Sequence, residues 1–428
     1  MKKTILVIGP LDTKGPENLY LKQKIEEDGC EALVMDIRTI GEAAFVPDIT
    51  CDEVAAAAGT SIDALLAAHD RMACIEAMGN GAAELAYRLY QAGRIHGVIS
   101  MGGAQTTSMA AAVMRKMPIG FPKVIVSTLA TSAHDQVMLA GINDTFVINP
   151  LTDVAGLSCI LSTIIERAAG AITGMVRALP EGAPPALSME GQKPCVGISM
   201  WGVTTKCVLR VAEILEKHGY QALVFHATGI GGHTMEHLIE QGVIRAVAEI
   251  TLAEFANPLV GGEYDYDPLR LTSAAKAGIP QIVVPGGCDM VKHMTRDGFV
   301  PEQYRKQKYY LHNPSLLFTR STQEDNRKIG RALAEKLNAS RGYVEVLFPE
   351  KGLSAYDIEG GPLYEPSCDE ALAEAIETGL RKDIRFERCG SHINDSGFAK
   401  KIAAHLLESI EKEIKQNESM EVNNGSEN

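Results

Sequence analysis

Two lysines follow threonines at matching places in the chain. They are Thr13-Lys14 in "GPLDTKG" (9–15) and Thr205-Lys206 in "WGVTTK" (201–206). Each pair ends a loop that follows an apolar run, and each stands where a helix should begin. A lysine there offers a point charge to a phosphate or carboxylate. The helix start adds unpaired N–H groups and a positive dipole end. Similar Gly- and Thr-rich stretches close other apolar runs. In the first half "MGGAQTT" (101–107) brings Gly102, Gly103, Gln105, Thr106 and Thr107, and "STLAT" (127–131) brings Thr128 and Thr131. With Gly9, Asp12, Thr13 and Lys14 they have the composition of a phosphate cradle, expected to hold a cofactor. In the second half Thr205 and Lys206 are joined by Gly229, Gly231 and Gly232 of "ATGIGGHTME" (227–236) and by Gly286 and Gly287 of "PGGCDM" (285–290). That group is expected to hold an anionic substrate.

Carboxylates in these loops are the acid–base candidates. Glu236, Glu254 and Asp289 are expected to do general acid–base work beside glycine N–H donors. Asp12 and Asp135 suit either Mg²⁺ or a helix cap. Neither standard nucleotide motif is complete: in "GPLDTKG" the lysine is out of P-loop register, and "GIGGHT" ends in Thr234 where a third glycine is required. No zinc site is expected. None of the nine cysteines forms a Cys-x-x-Cys pair, and His233-Thr-Met-Glu-His237 has the wrong order for a zinc helix. Cys288 has no nameable base.

The elements that must position these residues are alternating strands and helices. "TILVIG" (4–9), "ALVMDI" (32–37), "GVISM" (97–101) and "KVIVST" (123–128) are apolar on both faces, as buried parallel strands are. A helix over 17–29 closes at Gly29, and 61–93 reads as two helices broken at Gly79–Gly81. The stretch 153–176 reads as a buried helix whose Gly170 and Gly174 would allow close contact at an interface. "LPEGAPPALSMEGQKP" (179–194) is a linker. After it the pattern restarts. "ILVIGPLDTKG" is answered by "CVGISMWGVTTKC", "EEDGCEALVMDI" by "EKHGYQALVFHA", and "GFPKVIVSTLAT" by "GIPQIVVPGGCD". A fourth match sets Glu84 against Glu236. "MGGAQTT" has no counterpart; "TLAEFANPLVGGEYD" (251–265) takes its place.

We therefore expect an α/β protein with two Rossmann-like parallel-sheet domains related by internal duplication. Residues 1–178 form the first, 179–194 the linker, 195–416 the second with added terminal helices, and 417–428 a disordered tail. Ser321 or Thr322 should cap a helix, 343–349 should be a further strand, and 397–416 a terminal amphipathic helix. Over 428 residues, 46% are hydrophobic and 22% charged, which suits two globular cores. A formal net charge of −13 argues against general nucleic-acid binding. No apolar run is long enough to suggest a membrane span, and scattered cysteines fit the cytoplasm.

"GPLDTKGPE", "MGGAQTTSMA", "ATGIGGHTMEHLI", "HNPSLLFTRSTQEDN" and "HIND" (392–395) resemble the family of the tomato mosaic virus resistance protein's nucleotide-binding domain, which a broad group of uncharacterised bacterial proteins shares. The resemblance runs from about residue 3 to 412. It implies ATP binding, two Rossmann-like halves and a homodimer. In the plant protein the domain binds the viral replicase and inhibits RNA replication, and a TIM barrel follows it; a separate TIM-barrel protein would be the bacterial partner. The family pattern Gly-Gly-x-Gln-Gly-Thr has Thr106 in place of its last glycine, and a β-branched residue resists positive φ. The resulting expectation is a cytoplasmic ATP-binding enzyme acting on a small anionic metabolite at the interdomain cleft, with Mg²⁺ as an optional companion. The alternatives are a nucleotide-gated regulatory protein without turnover, and a sugar or carboxylate enzyme that reuses the fold without a nucleotide.

Overall fold

The computed structural model describes residues 2–130, 144–181, 189, 191–264 and 267–425. Half of the expected linker (182–188 and 190) lies outside them, as do Thr131 and Asp135. Internal contacts divide the chain into two units, Met1–Ser188 and Met189–Asn428.

In unit 1, β1 (Thr4–Gly9), β2 (Glu31–Asp36), β3 (Gly97–Gly102), β4 (Lys123–Ser127) and β5 (Phe146–Ile148) form a parallel sheet in the order β2-β1-β3-β4-β5. Its helices are α1 (Gly15–Glu27), α2 (Cys51–Ala57), α3 (Ile62–Ala67), α4 (Arg71–Gln91), α5 (Ala104–Lys116) and α6 (Cys159–Arg177). Successive strand residues point to opposite faces. Leu6 and Ile8 of β1 thus enter a core with Met78 of α4 and Val113 of α5, while Ile5 and Val7 enter another with Leu21 of α1 and Ile165 of α6. Burial on both faces is why these strands read as unbroken apolar runs.

Two helix expectations need correction. α4 runs through Gly79 and Gly81 without a break. A Cβ on Gly81 would overlap the carbonyl of Val54, and one on Gly79 would sit 3.3 Å from Met109 Cα. These glycines let α2 and α5 approach α4; they do not end it. α6 starts at Cys159 under a Ser158 cap and not at 153; its Gly170 and Gly174 are exposed, and a Cβ there would meet nothing within 4 Å of the same chain. Among the described helices α6 alone is long and apolar enough to cross a membrane, yet it packs on the sheet through Leu161, Ile165, Ala168 and Ile172.

In unit 2 the strands are β6 (Cys195–Met200), β7 (Gln221–His226), β8 (Ile244–Thr251), β9 (Gln281–Gly286), β10 (Met290–Met294), β11 (Tyr309–Asn313), β12 (Leu316–Arg320), β13 (Val344–Pro349) and β14 (Arg385–Cys389). Its helices are α7 (Thr205–Lys217), α8 (Ile230–Glu240), α9 (Ala253–Leu259), α10 (Ser273–Ala277), α11 (Gln323–Asn338), α12 (Pro366–Gly379) and α13 (Ser396–Gly425). The main sheet is parallel in the order β7-β6-β8-β9-β13-β14. Read from the first strand of each unit, that is the order of unit 1 with one strand added, as an internal duplication requires. Thr322 caps α11 in a reciprocal capping box with Asp325. α13 continues to Gly425, through part of the stretch expected to be a tail. A second sheet, β10-β12-β11, is antiparallel and had no counterpart in our sequence reading. It grows directly from the end of β9, and its Met290 and Phe318 pack with Trp201 and Val203 at the end of β6.

Candidate functional site

The carboxyl ends of β1, β2 and β3 in unit 1 open into a cavity of about 750 Å³. Asp12, Thr13 and Lys14 line it from the β1 loop, Gly103, Gln105 and Thr106 from the β3 end, and Arg38 from the β2 end. His69 lines it from the α3–α4 connection and Arg71 from the first turn of α4, and Ile37, Ile40, Leu65 and Leu66 give it an apolar wall. Among the described residues nothing pairs with the Lys14 ammonium or the Arg71 guanidinium. The Asp12 carboxylate accepts from the Thr13 hydroxyl, at 3.4 Å.

Local structure explains this opening. α5 begins at Gly103 with no side-chain cap, so the first-turn N–H groups have no partner within the helix. A Cβ on Gly103 would meet only Thr128 Oγ1, at 3.9 Å, so the approach to that turn is clear. Thr106 lies within α5 and needs no positive φ, so its β-branch is no obstacle. Its side chain instead explains Gly102, where a Cβ would lie 2.6 Å from Thr106 Oγ1. The other cradle residues are structural supports. Gly9 makes room for Asn18, whose Nδ2 donates to the carbonyl of Lys14 at 2.8 Å and holds the β1 loop. Thr107 is buried, bonded to the Gly103 carbonyl at 2.9 Å and to Ser127 Oγ at 2.7 Å. Thr128 donates its N–H to Gly102 at 3.4 Å. The arrangement can hold an anion at the α5 start and Lys14, and a flat apolar group against the far wall.

Arg38, Arg71 and His69 escaped the sequence reading. Arg38 follows the strand end in "MDIRTI", and Arg71 follows Asp70, which caps α4 through the N–H groups of Met72 and Ala73. His69 adopts φ +51, a left-handed backbone uncommon for a residue with a side chain. A cation just after an apolar strand was the available signal.

Unit 2 presents the opposite picture. Arg270 is buried and gripped by three carboxylates. Glu249 takes both Nη groups at 2.6 Å, Glu254 takes Nε at 2.6 Å and Glu236 takes Nη1 at 3.1 Å. Glu236 also accepts the N–H groups of Leu271 and Ser273, and Glu254 that of Gly229 at 2.6 Å. Burial pushes the Glu236 carboxyl up, with Glu249 adding to the shift. Burial alone would weaken Arg270 as a cation, but Glu249, Glu254 and Glu236 hold it charged. Glu236 and Glu254 are therefore spent on an arginine and are not presented to a ligand.

Asp289 is sealed in the same way. It is fully buried, accepts from Ser354 Oγ at 2.7 Å, and belongs with Arg320, Asp357 and Asp369. Burial and the neighbouring Asp357 push its carboxyl to about 7. Burial likewise pushes Asp369, which pairs with Arg320, to about 8. Cys288 is fully buried, which pushes its thiol far up.

The expected anion-binding glycines are internal too. Gly229 N–H goes to Glu254, and a Cβ on Gly231 or Gly232 would overlap the His226 carbonyl or Glu254 Oε1. Gly286 lies against the Ile250 carbonyl, and Gly287 donates to Leu353 at 3.0 Å. Thr205 and Lys206 line a cavity of about 270 Å³. There Asn394 Oδ1 already accepts the Cys207 N–H of the first α7 turn at 3.3 Å. His392 is spent as well: Nε2 donates to the Ser354 carbonyl at 2.9 Å and Nδ1 accepts from Asn394 N–H at 3.1 Å. Elsewhere Glu345, Glu387 and His405 gather with metal-like spacing, but Arg385 and Lys401 already pair with the two carboxylates.

Residues 3–181 match the family described as "Uncharacterised protein family (UPF0261) N-terminal domain", and 193–410 match its C-terminal domain. A UPF0261 protein of Clostridium tetani is 40% identical over 96% of this chain and 100% of its own. One from Rhizobium meliloti is 38% identical over 94% and 98%. The ToMV resistance protein Tm-1(GCR237) of Solanum lycopersicum is 36% identical over 73% of this chain, which is 41% of the tomato protein. By both domains and over nearly its whole length, the chain belongs to the UPF0261 family.

Proposed function

We propose that this protein binds ATP in the unit 1 cavity, with Mg²⁺ held between Asp12 and the phosphates. The observation that carries the reading is the meeting of an uncapped α5 start with unpaired Lys14 and Arg71 in one cavity of about 750 Å³. That volume is typical of small-molecule sites. Phosphates lie at the α5 start and Lys14, and the adenine lies against Ile37, Ile40, Leu65 and Leu66. The resemblance set out above supplies ATP as the particular nucleotide. Nine free thiols, eight of them buried, suit a cytoplasmic setting.

The sealing of Glu236, Glu254 and Asp289 favours the second form of the reading, a nucleotide-gated binding protein, over acid–base turnover of a metabolite in unit 2. A small anionic metabolite would meet unit 2 at Thr205 and Lys206 instead. The test is calorimetric titration with Mg-ATP of the wild type and of Gly103→Val. The added side chain enters open space, so the fold should survive with its melting temperature nearly unchanged. Affinity should fall at least about tenfold. Equal affinities in the two proteins would remove the site.

A further inference from the structure

The antiparallel β10-β12-β11 sheet has two outer edges, and the chain treats them differently. The β10 edge is closed. Asn257 Oδ1 accepts the Lys292 N–H at 2.6 Å, the Glu263 N–H donates to the Lys292 carbonyl at 2.9 Å, and Asn257 Nδ2 donates to the Met290 carbonyl at 3.2 Å. The β11 edge is open. The Lys308 carbonyl accepts the Arg320 N–H at 2.9 Å, and residues along an antiparallel strand alternate between bonding the partner and facing away from it. Tyr309 and Leu311 therefore aim their N–H and C=O groups away from β12. Among the described residues no group meets them there. Proteins usually blunt or cover such an edge.

Side chains at the open edge divide by face. Tyr309 and Leu311 share one face, 40% and 37% exposed, and the loop before β11 adds Phe299, 61% exposed. Tyr304 holds that loop beside the sheet, its ring stacked on His293 at 4.1 Å. Gly298 of the loop lies so close that a Cβ there would sit 3.2 Å from Leu311 Cδ2. Lys308 and His312, both exposed, stand on the other face. Arg296, Arg305 and Lys306 come from the loop, where only Asp297 and Glu302 oppose them, on a chain with a net charge of −13. Arg305 pairs with Glu302 at 3.4 Å and Lys308 with Glu365 at 2.8 Å. Arg296 and Lys306 have no ion pair among the described residues.

We propose that β11 takes an extended acidic peptide segment of a partner protein as an added strand. Apolar side chains of the segment lie against Tyr309 and Leu311, and its carboxylates lie against Lys308 and the loop cations. The open N–H and C=O groups decide for a peptide over a nucleic acid, which has no backbone amides to pair with them. This surface belongs to unit 2 and makes no use of the unit 1 cavity.

The experiment is fluorescence anisotropy on the full chain with a labelled peptide of alternating Val and Glu, about ten residues long. It should bind, more weakly as salt rises, and the same peptide with Lys in place of Glu should not. Methylating backbone nitrogens of the probe keeps its side chains and charge but removes donors. A strand turns alternate N–H groups to each neighbour. Methylation at every Val or at every Glu should therefore abolish binding in one case and spare it in the other, and which case it is gives the strand direction. Leu311→Pro removes a donor that faces away from β12, a place where proline is tolerated, and should weaken binding about tenfold. Arg296→Glu with Lys306→Glu should weaken it as much or more. No binding of the acidic peptide, or equal binding of the acidic and basic peptides, overturns the proposal. Equal behaviour of the two methylated probes, or binding unchanged in Leu311→Pro, overturns the strand pairing. An oligothymidylate that binds more tightly than the peptide and ignores Leu311→Pro would assign the surface to single-stranded nucleic acid and overturn it as well.

Discussion

At the end of β3, unit 1 enters α5 through Gly103 with no side chain closing the first turn. At the end of β8, the matching strand of unit 2, the chain enters α9 and Glu254 turns back onto Arg270 and the Gly229 N–H. The same contrast holds between the paired acids. Glu84 of α4 is partly exposed and bridges Arg88 and Lys116 at the surface, whereas Glu236 of α8 is buried in the arginine cluster. The two sheets share a strand order, so the scaffold cannot account for the difference. What differs is whether charge at the strand ends is satisfied from within the chain. In unit 2 carboxylates, arginines and the added β10-β12-β11 sheet fill the space that unit 1 leaves open. Glycine richness at a strand end thus has two origins. Gly103 leaves the helix start open, and Gly232 leaves room for Glu254.

If unit 2 is held by these buried ion clusters, removing an arginine should break it. Arg270→Met leaves three carboxylates without their cation, and removal of one partner from a buried pair costs about 3–5 kcal/mol. We expect the unit 2 unfolding transition in denaturant to move to markedly lower concentration, or the unit to fail to fold. Gly232→Ala should act in the same direction, since its Cβ would collide with Glu254 Oε1. Arg71→Met in unit 1 breaks no pair and should leave stability within about 0.5 kcal/mol. Similar losses from the two arginine variants would erase the comparison.

A smaller effect should appear with pH. Asp289 and Asp369 titrate near about 7 and about 8 in the folded chain because burial disfavours their charge. In the unfolded chain an aspartate titrates near about 3.9. The folded state thus keeps protons that the unfolded state releases. The stability they contribute is complete below about pH 4 and is lost as pH rises through about 7 and 8. Thermal melts from pH 5.5 to 8.5 should show unit 2 weakening, and Asp369→Asn should flatten that slope. A slope unchanged in Asp369→Asn would count against the buried, protonated cluster.

The sheets were legible because runs such as "TILVIG" and "GVISM" are apolar on both faces, and the duplication because such runs recur with the same spacing. The sealed acids were harder to read. Glu236, Glu254 and Asp289 stand in or beside Gly-rich stretches of the sequence, the setting of catalytic residues and of buried pairs alike. Glu249 carried the missed signal, as a carboxylate inside an apolar strand must find a cation, and Arg270 is that cation. The β10-β12-β11 sheet was missed because "MVKHM" and "YYLHN" are short and mixed in polarity. Arg38 was passed over because its partner Asp36 was read as part of the strand "ALVMDI" (32–37).

The two lysines that opened the sequence reading give the smallest test, because the comparison assigns them different fates. Lys14 lines the large cavity beside an uncapped helix start, with no ion pair among the described residues. Lys206 lines a cavity about a third as large, where Asn394 already serves the first turn of α7. Lys14→Met removes a charge from the proposed phosphate site, worth about 1–2 kcal/mol of binding. Lys206→Met removes a charge with no part in holding ATP. Among the described residues neither side chain has a partner, so neither change should move the melting temperature of the free protein by more than about two degrees. The thermal shift produced by Mg-ATP should shrink in Lys14→Met and persist in Lys206→Met. Equal shrinkage in both would mean that the two strand ends serve one ligand, and the division of labour between the units would fall.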